Sequence, residues 1–235
     1  LGSASGTVLA LDASSGRKLW SFVVGGDGAT AGSEMSDPTA AGGVVYVVSG
    51  LDGVHPPDTL YALDAHDGRK LWSNGQLGGG QSSPPVVAGG VIYVGLADTK
   101  LYALDARTGA TLWSFHTGGT VGTPAMANGI VCVGSSDATS DGSAYALDAR
   151  TGAKRWSVVM LMAASTVAGN VIYTDAAAGN GTSDYSVYAL DARTGATLWR
   201  SQAGGPLGAP VVVDGVVYIG SSDYSVYALD ARTGA

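Results

Sequence analysis

Apolar and polar positions alternate along this chain in short runs, and the runs recur. Between residues 83 and 117 the pattern divides into four. Residues 85–88 (Pro-Val-Val-Ala) predict a first strand, closed by Gly89-Gly90. Residues 91–94 (Val-Ile-Tyr-Val) predict a second, and Lys-Leu-Tyr-Ala-Leu-Asp at 100–105 predicts a third. After the turn Arg107-Thr108-Gly109 comes a fourth, at 111–115. Runs this short, with period two and Gly or Asp at their ends, are strands and not helices. The same plan recurs around the pairs Gly42-Gly43, Asn128-Gly129, Gly169-Asn170 and Asp214-Gly215. Such pairs supply the positive φ that a two-residue hairpin requires.

One phrase marks each period. It reads LALDASSGRKLW to Trp20, YALDAHDGRKLW to Trp72 and YALDARTGATLW to Trp113. It returns as YALDARTGAKRW to Trp156, as YALDARTGATLW to Trp199, and as a final YALDARTGA. Its Asp falls at Asp12, Asp64, Asp105, Asp148, Asp191 and Asp230, every 39 to 52 residues. A period of about 40–45 residues with four strands per unit is that of propeller blades. A four-stranded unit that cannot bury both its faces alone must stack on its neighbours. The fold class predicted is therefore all-β: a β-propeller of four-stranded antiparallel blades, about five blades' worth, in one domain spanning 1–235.

The pattern Ala-x-Asp-x-x-Thr-Gly-x-x-x-Trp resembles the tryptophan-docking motif of the pyrroloquinoline-quinone-type (PQQ-like) β-propellers. The resemblance implies that Trp20, Trp72, Trp113, Trp156 and Trp199 pack between blades. Their platforms would be Ala10, Ala62, Ala103, Ala146 and Ala189, and glycines from Gly16 to Gly234 would face them. Ser15 and Asp67 stand where the family has Thr, and both can still bond the turn. Leu1-Gly-Ser aligns with Ile219-Gly-Ser, so the first blade begins just before its third strand. Five closed blades, or an excerpt of a seven- or eight-bladed ring, are the two expectations, the excerpt being preferred.

Composition agrees with strands and turns. Gly occurs 37 times in 235 residues, and each would cost about 1 kcal/mol against Ala in a helix interior. The formal net charge is −7, which leaves no basic footprint for nucleic acid or for anionic lipid. No apolar run is long enough to span a membrane. Cys132 is the one cysteine. It can form no internal disulfide, and in a second-strand position it reads as an inert thiol. The chain opens at Leu1 with no Met and no signal peptide, which reads as a trimmed or mature fragment.

In such a unit the hairpin between first and second strands and the Asp-containing turn share one end of the sheet. The second-to-third loop and the link to the next blade share the other. Turns at the first end are nearly uniform, whereas the connections vary in length and sequence. Uniform turns suit a scaffold and varied loops suit recognition. The candidate binding face is accordingly the connection end, with Asp37, Asp52, His55, Asp58, His116, Met160 and Met162. Residues 158–162 (Val-Val-Met-Leu-Met) read as an apolar inter-blade loop that could anchor a partner or fill a gap. No two histidines have metal-ligand spacing, and His66 lies in a solvated turn. The loop at 136–142 lacks the terminal Glu of an EF-hand.

A quinone-dependent dehydrogenase of the family implied by the resemblance would need a calcium ion held by oxygens, a stacking Trp, a catalytic Asp and a vicinal Cys pair. Here the five Trp are committed to docking, one Cys is present, and Asp37 is the only carboxylate at the head of a first strand. The reading is a non-catalytic binding, scaffold or ligand-sensing propeller, with no catalytic, cofactor or metal residues and neither PQQ nor calcium. The resemblance extends to the BamB-type scaffolds and to bacterial kinase sensor propellers. It implies a protein or small-molecule partner and an extracytoplasmic location. A fragment of a quinone- and calcium-dependent dehydrogenase is the alternative.

Overall fold

A computed structural model of the chain describes residues 2–3, 6–24, 35–50, 58–80, 83–136, 142–177 and 185–235. Among them there is no helix. The chain divides into two compact units, Leu1–Phe115 and His116–Ala235.

The first unit carries three antiparallel meanders. The first sheet has Gly2–Ser3, Thr7–Leu11 and Lys18–Val23. The second has Thr39–Ala41, Val44–Ser49, Asp58–Asp64 and Lys70–Leu77. The third has Val86–Ala88, Val91–Gly95, Lys100–Asp105 and Thr111–His116, within a residue of the strands predicted from the pattern. Pro85 falls outside the first of these because it has no N–H to give to the ladder. The first sheet also holds a piece of second strand, since Gly2 pairs with Val8 and Ser3 with Thr7.

The second unit repeats the plan. In the fourth sheet, Thr120–Val121 and Ala125–Ala127 both pair with Ile130–Ser136, followed by Ser143–Asp148 and Lys154–Val159. The fifth has Leu161–Ala168, Val171–Ala177, Ser186–Asp191 and Thr197–Gln202. The sixth has Val211–Val213, Val216–Gly220 and Val226–Asp230. These repeated meanders are propeller blades, about five blades' worth.

The break in the first strand of the fourth sheet has a cause. Pro124 interrupts the ladder there, as Pro38 and Pro210 do between an isolated bridge and the strand proper. In the fifth sheet Ser165 takes the proline's place. It has an N–H, pairs with Thr174, and lets one strand run from Leu161 to Ala168 around a bulge. The expected apolar loop at 158–162 is therefore corrected: strands reach Val159 and resume at Leu161, with Met160 alone between them.

The cores lie between the faces of neighbouring sheets. Tyr46, Val48, Leu60, Ala62 and Leu77 of the second sheet close on Ile92, Val94, Leu96, Tyr102 and Leu104 of the third. In the second unit Cys132, Ala144 and Ala146 meet Ile172, Tyr188 and Leu190, and Tyr173, Val187 and Ala189 meet Val217, Ile219 and Leu229. Alternate residues of one strand serve opposite neighbours, as a period of two demands. Each fully buried Leu or Ile contributes about 1.5–3 kcal/mol.

Candidate functional site: the two ends of the sheets

At the turn end the sequence builds one structure many times. In Asp105-Ala106-Arg107-Thr108-Gly109 the Asp105 carboxylate accepts the Arg107 N–H at 3.1 Å, the Thr108 N–H at 2.8 Å and the Thr108 hydroxyl at 2.8 Å. Asp148, Asp191 and Asp230 do the same. These hydroxyl and amide donors hold Asp105, Asp191 and Asp230 below the usual carboxylate range. Asp148 is lowered to about 2, first by Arg155 at 2.7 Å and then by Thr151. Asp12 is lowered to about 2 by the Ser14 and Ser15 hydroxyls. Asp67 is the exception at the Thr position. A carboxylate has no proton for Asp64, so Asp67 keeps only the accepting half of the role, taking the Arg69 N–H at 2.9 Å.

The indole rings lie beside these turns. Trp20 Nε1 donates to Ala65 O at 3.0 Å, Trp72 to Ala106 O at 3.2 Å, Trp156 to Ala192 O at 2.9 Å and Trp199 to Ala231 O at 2.9 Å. The turn glycine lies flat against the ring: a Cβ on Gly68 would stand 2.6 Å from Trp20 Cε3, and one on Gly109 2.6 Å from Trp72 Cε3. Gly109 also has φ +74, so no other residue fits both ring and backbone. Ala62 pairs with Trp72, and the register shifts one residue later to open the turn. Trp113 lies 5.9 Å from the Tyr93 ring.

Sequence reasoning missed the partner of the Trp. Tyr46 donates its hydroxyl to Ala106 O at 3.2 Å, the oxygen that Trp72 uses. Tyr173 and Trp199 share Ala231 O in the same way. A carbonyl has two lone pairs and accepts both. The signal was available in the recurring second-strand Tyr46, Tyr93, Tyr173 and Tyr218. In the fourth sheet Cys132 holds that position, fully buried, its thiol pushed up to about 12 by burial.

The connection end is different. Asp37 is exposed beside Pro38, at the head of a first strand. Asp58 is fully buried, opens a third strand opposite Leu77, and accepts the Gly80 N–H at 3.4 Å. His116 is exposed at the last residue of a fourth strand. Met162 is 5% exposed and belongs to the core shared by the fourth and fifth sheets, its backbone oxygen against Gly134, so it does not face solvent. Met160 is half-buried against the same core. Asp52 and His55 lie outside the described residues. The serines that head the first strands are also committed: Ser36 Oγ accepts the Val48 N–H at 3.1 Å and Ser83 Oγ the Gly95 N–H at 3.1 Å. Of the described candidates, Asp37 and His116 are exposed at strand ends, whereas Asp58 and Met162 are buried.

Charge separates the two ends. In the first unit the connecting segments and adjoining strand ends carry Asp27, Glu34, Asp37, Asp52, Asp58 and Asp98 against Lys100 alone. Its turn ends carry Asp12, Asp64, Asp67 and Asp105 against Arg17, Lys18, Arg69, Lys70 and Arg107. The second unit repeats the division: Asp137, Asp141, Asp175, Asp184 and Asp223 against Arg200, then Asp148, Asp191, Asp214 and Asp230 against Arg150, Lys154, Arg155, Arg193 and Arg232. In each unit the turn end is slightly basic, and all the net negative charge sits on the connections.

The family described as outer membrane protein assembly factor BamB matches residues 1–136, 58–183 and 140–235, which together span the chain. The chain belongs to this PQQ-like propeller family. No curated protein sequence matches it. Among solved structures it is similar to the computationally designed Ika8 protein, with TM-score 0.77 and 20% identity over 97% of this chain and 66% of that one. It is similar to BamB from Moraxella catarrhalis, with TM-score 0.61 and 21% identity over 98% of this chain and 79% of that one. It is also similar to the quinohemoprotein alcohol dehydrogenase ADHIIG from Pseudomonas putida HK5, with TM-score 0.64 and 22% identity over 85% of this chain and 40% of that one. At these identities the structural likeness concerns the fold. The chain spans just under two thirds of the designed protein and less than half of the dehydrogenase.

Among the described residues no three His, Cys, Asp or Glu side chains gather where a metal could bind. The rings of Trp20, Trp72, Trp156 and Trp199 are already stacked on glycines. Among the described residues no helix is long and apolar enough to cross a membrane.

Proposed function

We propose that this chain is a non-catalytic binding propeller, a scaffold that meets a protein partner at the connection ends of its sheets. The observation that carries the reading is the charge division: the turns are uniform and hydrogen-bonded, while the connecting segments vary in sequence and hold all the net negative charge. Acidic connections favour a partner with a basic surface, because complementary charge speeds encounter and rejects like-charged competitors. The BamB family match supports a protein partner and a location outside the cytoplasm. We further propose that the chain holds neither PQQ nor calcium.

Photo-cross-linkers placed singly at Asp37 and His116, and at Arg107 and Arg193 for comparison, test this in the native host. The expected result is discrete protein adducts from the first pair, weakened by added salt, and none from the second. Adducts confined to the turn-end pair would overturn it.

The likeness to quinohemoprotein alcohol dehydrogenases favours one other reading, a fragment of such an enzyme. Titration with PQQ and calcium, followed by Trp fluorescence and dye reduction with alcohols, separates the two. Micromolar binding with turnover would replace the scaffold reading.

A further inference from the structure

Two connection ends share an arrangement that the repeat phrase does not contain. In the third sheet Tyr102 donates its hydroxyl to Asp98 at 2.6 Å, and the Gly78 N–H donates back to the Tyr102 oxygen. In the sixth sheet Tyr227 donates to Asp223 at 2.6 Å, and the Gly204 N–H donates to the Tyr227 oxygen at 3.0 Å. In both, the Asp lies in the short turn between second and third strands, and the Tyr stands four residues later. In both, the Gly belongs to the segment arriving from the preceding sheet. The carboxylate lies so close to that segment that a Cβ on Gly78 or on Gly204 would collide with it.

A second observation is independent of these bonds. Thr99 and Tyr224, the residues following each Asp, have φ +68 and +67. This conformation is costly for a branched or bulky side chain and persists only where the surroundings impose it. The fourth and fifth sheets place their tyrosines differently. Tyr145 in the fourth sheet donates to Thr117 O at 2.7 Å, and Tyr188 in the fifth lies under Arg200.

We propose that Asp-x-x-x-Tyr with an upstream glycine amide is a latch, which fastens the incoming connection to the second-to-third turn and closes that end of the third and sixth sheets. The carboxylate orients the hydroxyl, and the phenol oxygen then takes the amide proton, so one side chain bridges two loops. The latch does not depend on the binding reading.

Amide hydrogen exchange on the full chain tests it. Tyr227→Phe removes both bonds while leaving the ring, and is expected to speed exchange at Gly204 tenfold or more, with Gly195 unchanged. Asp223→Asn keeps an acceptor and is expected to give a smaller rise at the same amide. Tyr102→Phe repeats the test at Gly78 should the first variant fold poorly. Exchange at Gly204 and Gly78 within twofold of wild type would overturn the latch, as would a rise spread evenly over both ends of the sheet.

Discussion

The two ends of these sheets are built from the same strands but answer to different constraints. At the turn end an aspartate, a hydroxyl, a glycine and the indole of the neighbouring sheet interlock, so each residue type is dictated by the others. At the connection end the second, fourth and fifth sheets carry connections unlike one another in sequence, and the third and sixth carry a bonded Asp–Tyr pair. Interlocking contacts are concentrated where the sequence repeats, and acidic residues where it varies. One fold thus keeps its cohesive contacts apart from the surface it can offer to a partner.

The sharpest way to break this comparison is Trp72→Ala. It removes a ring packed on Gly109 and bonded to Ala106, and should cost about 3–5 kcal/mol, read from the denaturant midpoint at constant slope. Next is Gly109→Ala, which combines φ +74 with a Cβ 2.6 Å from the Trp72 ring; about 1–3 kcal/mol is expected from the backbone alone. If either proved as mild as a loop change, the turn end would not be the seat of stability.

Tyr46→Phe removes one of two donors to Ala106 O and should cost about 0.5–1.5 kcal/mol. Acid should act on the same end. Asp12 and Asp148 fall from 3.8 to about 2 on folding, so the unfolded chain takes up protons first as the pH drops. Their contribution is complete above about pH 4 and is lost between there and about pH 2. Urea midpoints should therefore decline across that window and change little from about pH 5 to 7. A midpoint that rose on acidification would contradict the assignment. Smallest of all are Arg107→Ala and Asp37→Asn, both exposed and expected within about ±0.5 kcal/mol.

Much of the architecture was legible because its causes are local. Alternation of period two, Gly42-Gly43 or Asn128-Gly129 at hairpins, and Asp105 three residues ahead of Thr108 each act over a few residues. Their recurrence gave the strands of the third sheet to within a residue. The proline rule was equally local, yet it acted by exception: Ser165 restored an N–H and let a strand begin at Leu161, inside the expected loop at 158–162. Met162 shows the limit of such reading. Its neighbours in sequence allowed either an anchor for a partner or a filler between blades; only the packing of the fifth sheet on the fourth, which buries it beside Gly134, chose the second.

What local pattern could not specify are the pairings between residues far apart in the chain. That Tyr46 and Trp72 meet on the carbonyl of Ala106, or that Gly204 donates to Tyr227, follows only once sheets stack and connections close. A hydrogen bond has direction and a range of about 3 Å, whereas alternation reports only which face a residue takes. The repeating sequence therefore determined the blades and their turns, and the packed structure decided which side chains were spent on cohesion and which stayed exposed.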